Sequence, residues 1–397
     1  MISSKFLLPK QTFTQQYASV YFCRLHHFRE ILEKQVKQLY PQHPHYSLTE
    51  EFITIGIVFV ESQLKANVLS DLANQLDLSR EIKDKMNIFN GEHKIRLENE
   101  QGSSFLLFDD EPFLPSGVVV AIRGSMVGSA IRVKEIIYPR CEASKSVKSS
   151  PGKAMIVSGL EISNNPKNIM NLDLLTMHLM NDNSITDLII LGNSLAMSAP
   201  SVESKRKFGE EVQKFDLNPT ELMSLRLSKL SKAVKVHLIP GEFDPTNEML
   251  PQQPFSRHVF DQSAGVIMQT NPFEFTLNGL TFIGESGQSL DDLKRYGSND
   301  ITSMEVGEAM LNFNHLAPTS PDTLGCYPFI DDDPFIIRQL PNVLLLGNQE
   351  KLEVKQWNDS VKIMVLPRFC DGGEAVVLDL FDMSHKRVSM CCDQVIQ

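Results

Sequence analysis

Four short turns hold the side chains in this sequence best placed for chemistry, and each follows an apolar run of strand type. They are Ser158-Gly159-Leu160-Glu161, Gly192-Asn193-Ser194-Leu195-Ala196, Pro240-Gly241-Glu242-Phe243-Asp244 and Gly347-Asn348-Gln349-Glu350. In an open α/β sheet ligands bind beyond the carboxyl ends of the strands, so a site is expected at these turns. Their carboxylates (Glu161, Glu242, Asp244 and Glu350) form an oxygen-only set, which suits Mg²⁺ or Ca²⁺ weakly, and nothing beside them positions a nucleophile. The second turn approaches the Gly-x-Ser-x-Gly nucleophile elbow around Ser194. Ala196 replaces its last glycine, and neither an oxyanion-hole sequence nor a downstream Asp and His pair accompanies it. The stretch Gly124-Ser125-Met126-Val127-Gly128 lacks the Gly-Lys-Ser/Thr ending of a phosphate loop. Asp331-Asp332-Asp333, followed by Pro334, reads as a solvated acidic turn, and Lys205-Arg206-Lys207, flanked by acids, as a solvated loop.

The elements that must carry these turns follow from periodicity. Tyr21, Leu25, Phe28, Leu32, Val36 and Leu39 recur at steps of three and four, a helical stripe ended by Pro41 and Pro44. Thr12 and Gln15 have capping-box spacing ahead of it. The stripe suits packing on its own domain better than docking a partner. From Phe52 to Val60, Val118 to Arg123 and Ile131 to Ile137 the residues are β-branched and partly alternating, with Gly124 and Gly128 between the last two runs. Strands at this spacing predict a small barrel of about 100 residues, with an OB type leading. Residues 62–95 are too divergent to place within it. The polar run Glu142 to Lys153 reads as a linker. Beyond it, strands at Ala154–Ser158, Leu188–Leu191 and Val234–Ile239 alternate with helices at Ile169–Met180 and about 208–232. That is a parallel, buried sheet with helices on its faces. Later strands are expected at 266–269, 280–284, 343–347, 361–366 and 375–380, the last two close enough for antiparallel pairing. The expected division is therefore a helical segment at 1–44, a barrel at 45–141, a linker at 142–153 and an α/β domain at 154–397.

Composition narrows the function. With 397 residues, 42% hydrophobic and 22% charged, the chain suits two or three globular domains. Its longest apolar runs, such as Ile55 to Val60, fall far short of the ~20 residues that span a bilayer. The N-terminus lacks the apolar stretch of a secretory signal. The net charge of −11 argues against tight, autonomous nucleic-acid binding, which depends on neutralising phosphates. Six scattered cysteines without Cys-x-x-Cys spacing fit a reducing compartment, and Cys391-Cys392 reads as ordinary tail sequence.

The order of the four turns resembles the calcineurin-like metallophosphoesterases. That family carries Asp-x-His, Gly-Asp-x-x-Asp, Gly-Asn-His-Asp/Glu and Gly-His-x-His at the corresponding places. Two metals ~4 Å apart need those ligands to activate a water. Here Gly159 and Glu161, Asn193 and Ala196, Glu242 and Phe243, and Asn348 and Glu350 stand where ligands belong, and only Asp244 is kept. That such turns never held metal stays an open alternative at this point.

Further stretches carry a closer likeness. They are Phe6-Leu7-Leu8-Pro9, Leu250-Pro251-Gln252-Gln253-Pro254, Thr270-Asn271-Pro272, Gly284 to Gln288, and Ala317 to Phe329 with its Pro321-Asp322-Thr323-Leu324-Gly325-Cys326-Tyr327-Pro328 core. With these the chain resembles the small regulatory (B) subunits of DNA polymerase delta, a branch of the polymerase alpha/delta/epsilon B-subunit family. The resemblance implies an OB-fold domain, with the N-terminal helix, packed on an inactivated calcineurin-like αββα sandwich. It implies a nuclear, non-catalytic scaffold in DNA replication with no catalytic, cofactor-binding or metal-binding residues and no cofactor. The implied partners are the cysteine-rich C-terminal module of the catalytic subunit and a third subunit, with sliding clamp and DNA reached indirectly and no membrane. The rivals are an active metal-dependent phosphodiesterase or nuclease, and the B-type subunit of another replicative polymerase. The proline-rich stretch from Ala317 to Phe329 reads as an ordered surface loop, either partner-binding or strapped over its own sheet.

Overall fold

The computed structural model describes residues 4–8, 16–41, 51–65, 87–89, 92–142, 150–197, 217–260 and 265–390. The Thr12–Gln15 capping box, most of the linker, Lys205–Lys207 and Cys391-Cys392 lie outside the described residues. The chain divides into two compact units. One comprises residues 9–144 and 289–340, the other residues 1–8, 145–288 and 341–397. The units thus cut across the linear division. The N-terminal segment is shared between them, and residues 289–340 group with the barrel rather than with the sheets. No described helix is long and apolar enough to cross a membrane.

In the first unit, helix α1 (Ala18–Leu39) precedes strands β1 (Phe52–Ser62), β2 (His93–Asn99), β3 (Gly102–Leu107), β4 (Val119–Val127) and β5 (Ala130–Ile137). The strands close into a barrel in the order β1-β2-β3-β5-β4. Closure explains why β1 is apolar almost throughout. Ile53, Ile55 and Ile57 turn to α1, where Leu25, Phe28, Leu32 and Val36 cover them. Val58 and Val60 turn inward onto Ile95, Leu97, Val120 and Ile131. The helical stripe therefore packs on its own unit. Gly124 is not between strands as expected. β4 runs through it to Val127, with a bulge at Arg123/Gly124, and only Gly128 makes the turn into β5. β2 and β3 are strands that the sequence reading did not assign, and residues 66–86, most of the stretch it left unplaced, lie outside the described residues.

The rest of this unit is helical around 289–294 and 303–313 and then forms a long ordered strap. Phe313 and Tyr296 enter the barrel's hydrophobic cluster, which is why residues 289–340 stay with it. The strap folds around Arg24, a fully buried side chain on α1. Arg24 donates from Nε to Asp333 Oδ2 at 2.7 Å, and from its two Nη groups to the carbonyls of Gly117 (3.1 Å), Pro318 (2.6 Å) and Ser320 (2.9 Å). His315 Nδ1 accepts the Ala317 N–H at 3.1 Å, so its Nε2 carries the proton and donates to Asp333 Oδ2 at 2.9 Å. Gly117 is required here: its φ is +84°, and a Cβ would fall 1.9 Å from the Pro318 oxygen. The stretch is thus a packed strap, but it closes around a helix of the barrel unit and not over a sheet of the 154–397 segment to which the sequence reading assigned it. Asp333 corrects the reading of a solvated acidic turn. Asp331 and Asp332 are exposed, but Asp333 is buried, and Arg24 and His315 hold its carboxyl well below the usual carboxylate range against the cost of burial.

The second unit begins with β6 (Lys153–Ser158), α2 (Pro166–Asn181), β7 (Ile185–Leu191), α3 (Leu217–Ala233), β8 (Lys235–Ile239), β9 (Val266–Met268), β10 (Phe273–Leu277) and β11 (Leu280–Glu285). The two helices already met, α4 (Gln288–Lys294) and α5 (Ser303–Phe313), follow in the chain. The unit ends with β12 (Val343–Gln349), β13 (Glu353–Gln356), β14 (Lys362–Pro367), α6 (Phe369–Gly372), β15 (Glu374–Asp379) and β16 (His385–Ser389). Six strands form one sheet in the order β16-β15-β6-β7-β8-β9, and five form another in the order β10-β11-β12-β14-β13. The expected pairing of the strands near 361–366 and 375–380 does not occur. β14 joins β12 and β13, whereas β15 joins β6 and β16 in the other sheet. Alternate residues of β6 and β7 serve two cores. Met155, Val157, Leu188 and Ile190 meet Leu172, Leu175, Met223 and Leu227 of the helices. Ala154, Ile156, Ile189 and Leu191 meet Phe273, Phe282, Leu345 and Met364 of the second sheet. Burial on both faces makes these strands near-continuous apolar runs. The expected class, α/β plus a closed β-barrel with an N-terminal helix, is the one found.

Phe6 and Leu8 are fastened to this unit by Gln253. Its Oε1 accepts the Leu8 N–H at 3.0 Å and its Nε2 donates to the Phe6 carbonyl at 3.0 Å. Two of the sequence stretches singled out above, Phe6-Leu7-Leu8 and Leu250 to Pro254, are therefore halves of one contact.

Candidate functional site

The four turns converge at the carboxyl ends of β6, β7, β8 and β12, as the sequence predicts. The Gly159 N–H donates to the Gly192 carbonyl at 3.1 Å, Glu161 N–H to the Asn193 carbonyl at 2.9 Å, and Gly192 N–H to the Ile239 carbonyl at 3.1 Å. The turns are drawn tight enough that Gly159 (φ +60°) admits no side chain. A Cβ there would lie 2.5 Å from Asn348 Oδ1 and 3.0 Å from Arg368 Cβ. An Asp or His at 159 has no space.

Asp244 is the one carboxylate kept from the metal pattern, and it is fully committed. Oδ1 accepts the Leu195 N–H at 3.0 Å, and Oδ2 accepts those of Ser194 (3.2 Å) and Gly241 (2.8 Å). It ties the β8 turn to the β7 turn. Burial pushes its carboxyl up to about 7, while these backbone donors pull the other way. Asn193 Oδ1 completes the tie by accepting the Phe243 N–H at 3.2 Å. On the far side, Asn348 Nδ2 donates to the carbonyls of Leu191 (3.1 Å) and Ser286 (2.6 Å), and its N–H donates to Ser158 Oγ at 2.6 Å. Asn271, fully buried, gathers Gln252, Ser286 and Gln288 through Nδ2 at 2.8, 2.8 and 2.6 Å. The stretches Thr270-Asn271-Pro272 and Gly284 to Gln288 meet in this network.

The remaining candidates do not assemble. Glu242 and Glu350 are exposed. Glu161 sits instead near Cys370 and Arg368, where burial first, and then Glu161 and Asp371, push the Cys370 thiol up to about 12. Ser194 is buried and its Oγ makes no hydrogen bond among the described residues, so no base activates it. Among the described residues no group of three or more His, Cys, Asp or Glu could hold a metal ion. A pair of metals bridged by a carboxylate does not fit these described residues: Asp244 is turned into the protein onto three amides, and Asn348 fills the space beside Gly159. Glu161 Oε1 and Asn348 Oδ1 are buried without partners, two neutral or singly charged oxygens where a two-metal centre needs several anionic ligands and histidines. Among the described residues, the arrangement links the turns to one another.

The sequence reading missed the outer face of β1 to β3. The alternation His93-Lys94-Ile95-Arg96-Leu97-Glu98, charged out and apolar in, was the signal that could have placed β2.

Residues 154–354 match the family model of the DNA polymerase alpha/epsilon B subunits, and residues 16–136 match that of the DNA polymerase delta subunit OB-fold domain. The chain is 31% identical to a rice (Oryza sativa) DNA polymerase delta small subunit, over 94% of this chain and 93% of that one. It is 29% identical to an Arabidopsis thaliana DNA polymerase delta small subunit, over 98% and 94%. A Saccharomyces cerevisiae DNA polymerase delta small subunit is 28% identical over 96% and 90%. A dimetal phosphatase from Danio rerio overlaps 61% of this chain and 99% of its own at 10% identity and a TM-score of 0.32, too low to carry an argument. With both family models matched and the likeness running nearly end to end, the chain belongs to the B-subunit family of the replicative DNA polymerases and, within it, to the small subunits of DNA polymerase delta.

Proposed function

We propose that the chain is the non-catalytic scaffold of a DNA polymerase delta holoenzyme, working in the nucleus. In this reading it bridges the cysteine-rich C-terminal module of the catalytic subunit and a third subunit, and reaches the sliding clamp and the template through them. One observation carries the reading: the only carboxylate surviving from the phosphoesterase pattern, Asp244, is buried and spent on the amides of Ser194, Leu195 and Gly241. A site so tied up supports a shape-holding role for the turns. The net charge of −11 supports leaving the main DNA contacts to other subunits.

Co-expression tests it. The full chain, expressed with a tagged C-terminal module of the catalytic subunit and with the third subunit, is expected to co-elute with both in one complex. Failure of either to co-elute contradicts the bridging role, and hydrolysis of a phosphodiester by the chain alone contradicts the non-catalytic one.

A further inference from the structure

Across the outside of the barrel runs a row of facing residues, one from each of four strands: Phe59 on β1, Arg96 on β2, Phe105 on β3 and Ala130 on β5. The Arg96 guanidinium lies 5.3 Å from the centre of the Phe59 ring and 6.0 Å from that of Phe105. Glu61 (3.0 Å) and Glu98 (3.1 Å) hold it there. Phe105 is 37% exposed, and Leu107, two residues along, is 41% exposed. Two exposed cations stand beside this row. Lys94 lies 5.7 Å from the Phe105 ring centre, and Arg132 faces Leu107 on β5. Neither is paired with a carboxylate among the described residues, whereas Arg96, Arg123 and Lys134 all are.

We propose that this face, Phe105 with Lys94 and Arg132, is a secondary binding site for single-stranded nucleic acid. An exposed ring backed by a fixed guanidinium presents a flat stacking platform, and every base has a face to place on it. Lys94 and Arg132 lie on either side of Leu107's strand, two inter-strand steps of about 4.8 Å apart, within the reach of consecutive phosphates. Their freedom from carboxylates supplies the charge complementarity. With only two such cations on this face of a chain of net charge −11, binding is weak and salt-sensitive. The site goes beyond the scaffold reading and stands or falls independently of it.

The test is fluorescence anisotropy of a labelled oligothymidylate with the full chain, titrated at several salt concentrations. F105A is expected to weaken binding about 5- to 150-fold, the range for loss of one stacking platform. K94Q/R132Q is expected to lower the slope of log K against log salt by about 1.4, or about 0.7 for each phosphate left without its cation. F381A, an exposed ring in the other unit, should change neither. The two cations are exposed and, among the described residues, not paired with a carboxylate, so K94Q/R132Q is expected to keep the wild-type circular dichroism and melting even if F105A does not. No anisotropy change with the wild-type chain, or binding indifferent to K94Q/R132Q, overturns the proposal. So does loss of the third subunit in these variants with oligonucleotide binding intact, which would make the face a protein interface.

Discussion

Each unit of this molecule ties distant segments together with a buried aspartate, and the two are held in opposite ways. Asp333 in the barrel unit is held by Arg24 and His315, and charge pairing keeps it ionised despite complete burial. Asp244 in the α/β unit meets only backbone amides, and burial pushes it up to about 7. At Asp333 the neighbouring Arg24 and His315 outweigh burial, whereas at Asp244 the backbone amides do not. Both carboxylates are engaged in hydrogen bonds within their own units. Asp333 is consumed in joining α1 to the strap, and Asp244 in joining the β7 turn to the β8 turn.

The contrast can be broken most severely at Arg24. R24M removes the guanidinium but leaves Asp333 buried without its cation, which costs about 3–5 kcal/mol. Urea unfolding with a probe in the barrel unit measures it. If the loss stays below about 1 kcal/mol, Asp333 is not held by that pair. R24M/D333N removes both charges and is expected to recover part of the loss, which a double-mutant cycle resolves.

A smaller effect follows at Asp244. D244N keeps the size but puts an NH₂ donor against amides that both carboxyl oxygens now accept, and about 1–3 kcal/mol should be lost from the α/β unit at pH 5.

pH separates the two aspartates by sign. The folded Asp333 carboxyl lies below its unfolded value, so its stabilisation is present above the ordinary carboxylate range and is lost as pH falls below about 4. The folded Asp244 carboxyl, at about 7, lies above its unfolded value. Between those values the native state holds a proton that the unfolded chain releases, so stability from this group declines as pH rises from about 4 to 7. D244N should flatten that decline and leave the acid limb unchanged. A pH profile of melting in which D244N alters only the acid limb would reverse the assignment.

Smallest of all is the expected result at Phe243, whose backbone but not side chain serves the network. F243H should leave stability within about 0.5 kcal/mol and confer no hydrolysis, because Gly159 and Ala196 offer no ligand and Asp244 is engaged with the amides of Ser194, Leu195 and Gly241. Gain of Mn²⁺-dependent activity in that single variant would contradict the fit of residues to turns.

Much of this was legible in the sequence. Continuous apolar runs such as Leu188–Leu191, ended by Gly and a polar residue, gave the parallel strands and located all four turns. The departure of their side chains from the phosphoesterase pattern was equally plain. What pattern could not give was pairing partners. β14 and β15 are neighbours in sequence but belong to different sheets, because α6 carries the chain from one to the other. Nor could it give burial of charge. Asp333 looks like its two neighbours in sequence, and only the arrival of Arg24, over three hundred residues upstream, separates it from them. Asp244 was visible as a carboxylate at one of the four turns, while its use as an acceptor for the neighbouring turn depends on backbone geometry that residue types do not encode.

The central claim, that the strand-end turns are a structural tie and not a reaction centre, is tested most directly on the purified, unaltered chain. Its metal content and its phosphodiesterase turnover in Mn²⁺ or Mg²⁺ are measured together. The account predicts no bound transition metal and no hydrolysis above the buffer rate. Stoichiometric metal with turnover that disappears in D244N would show that Asp244 serves chemistry after all.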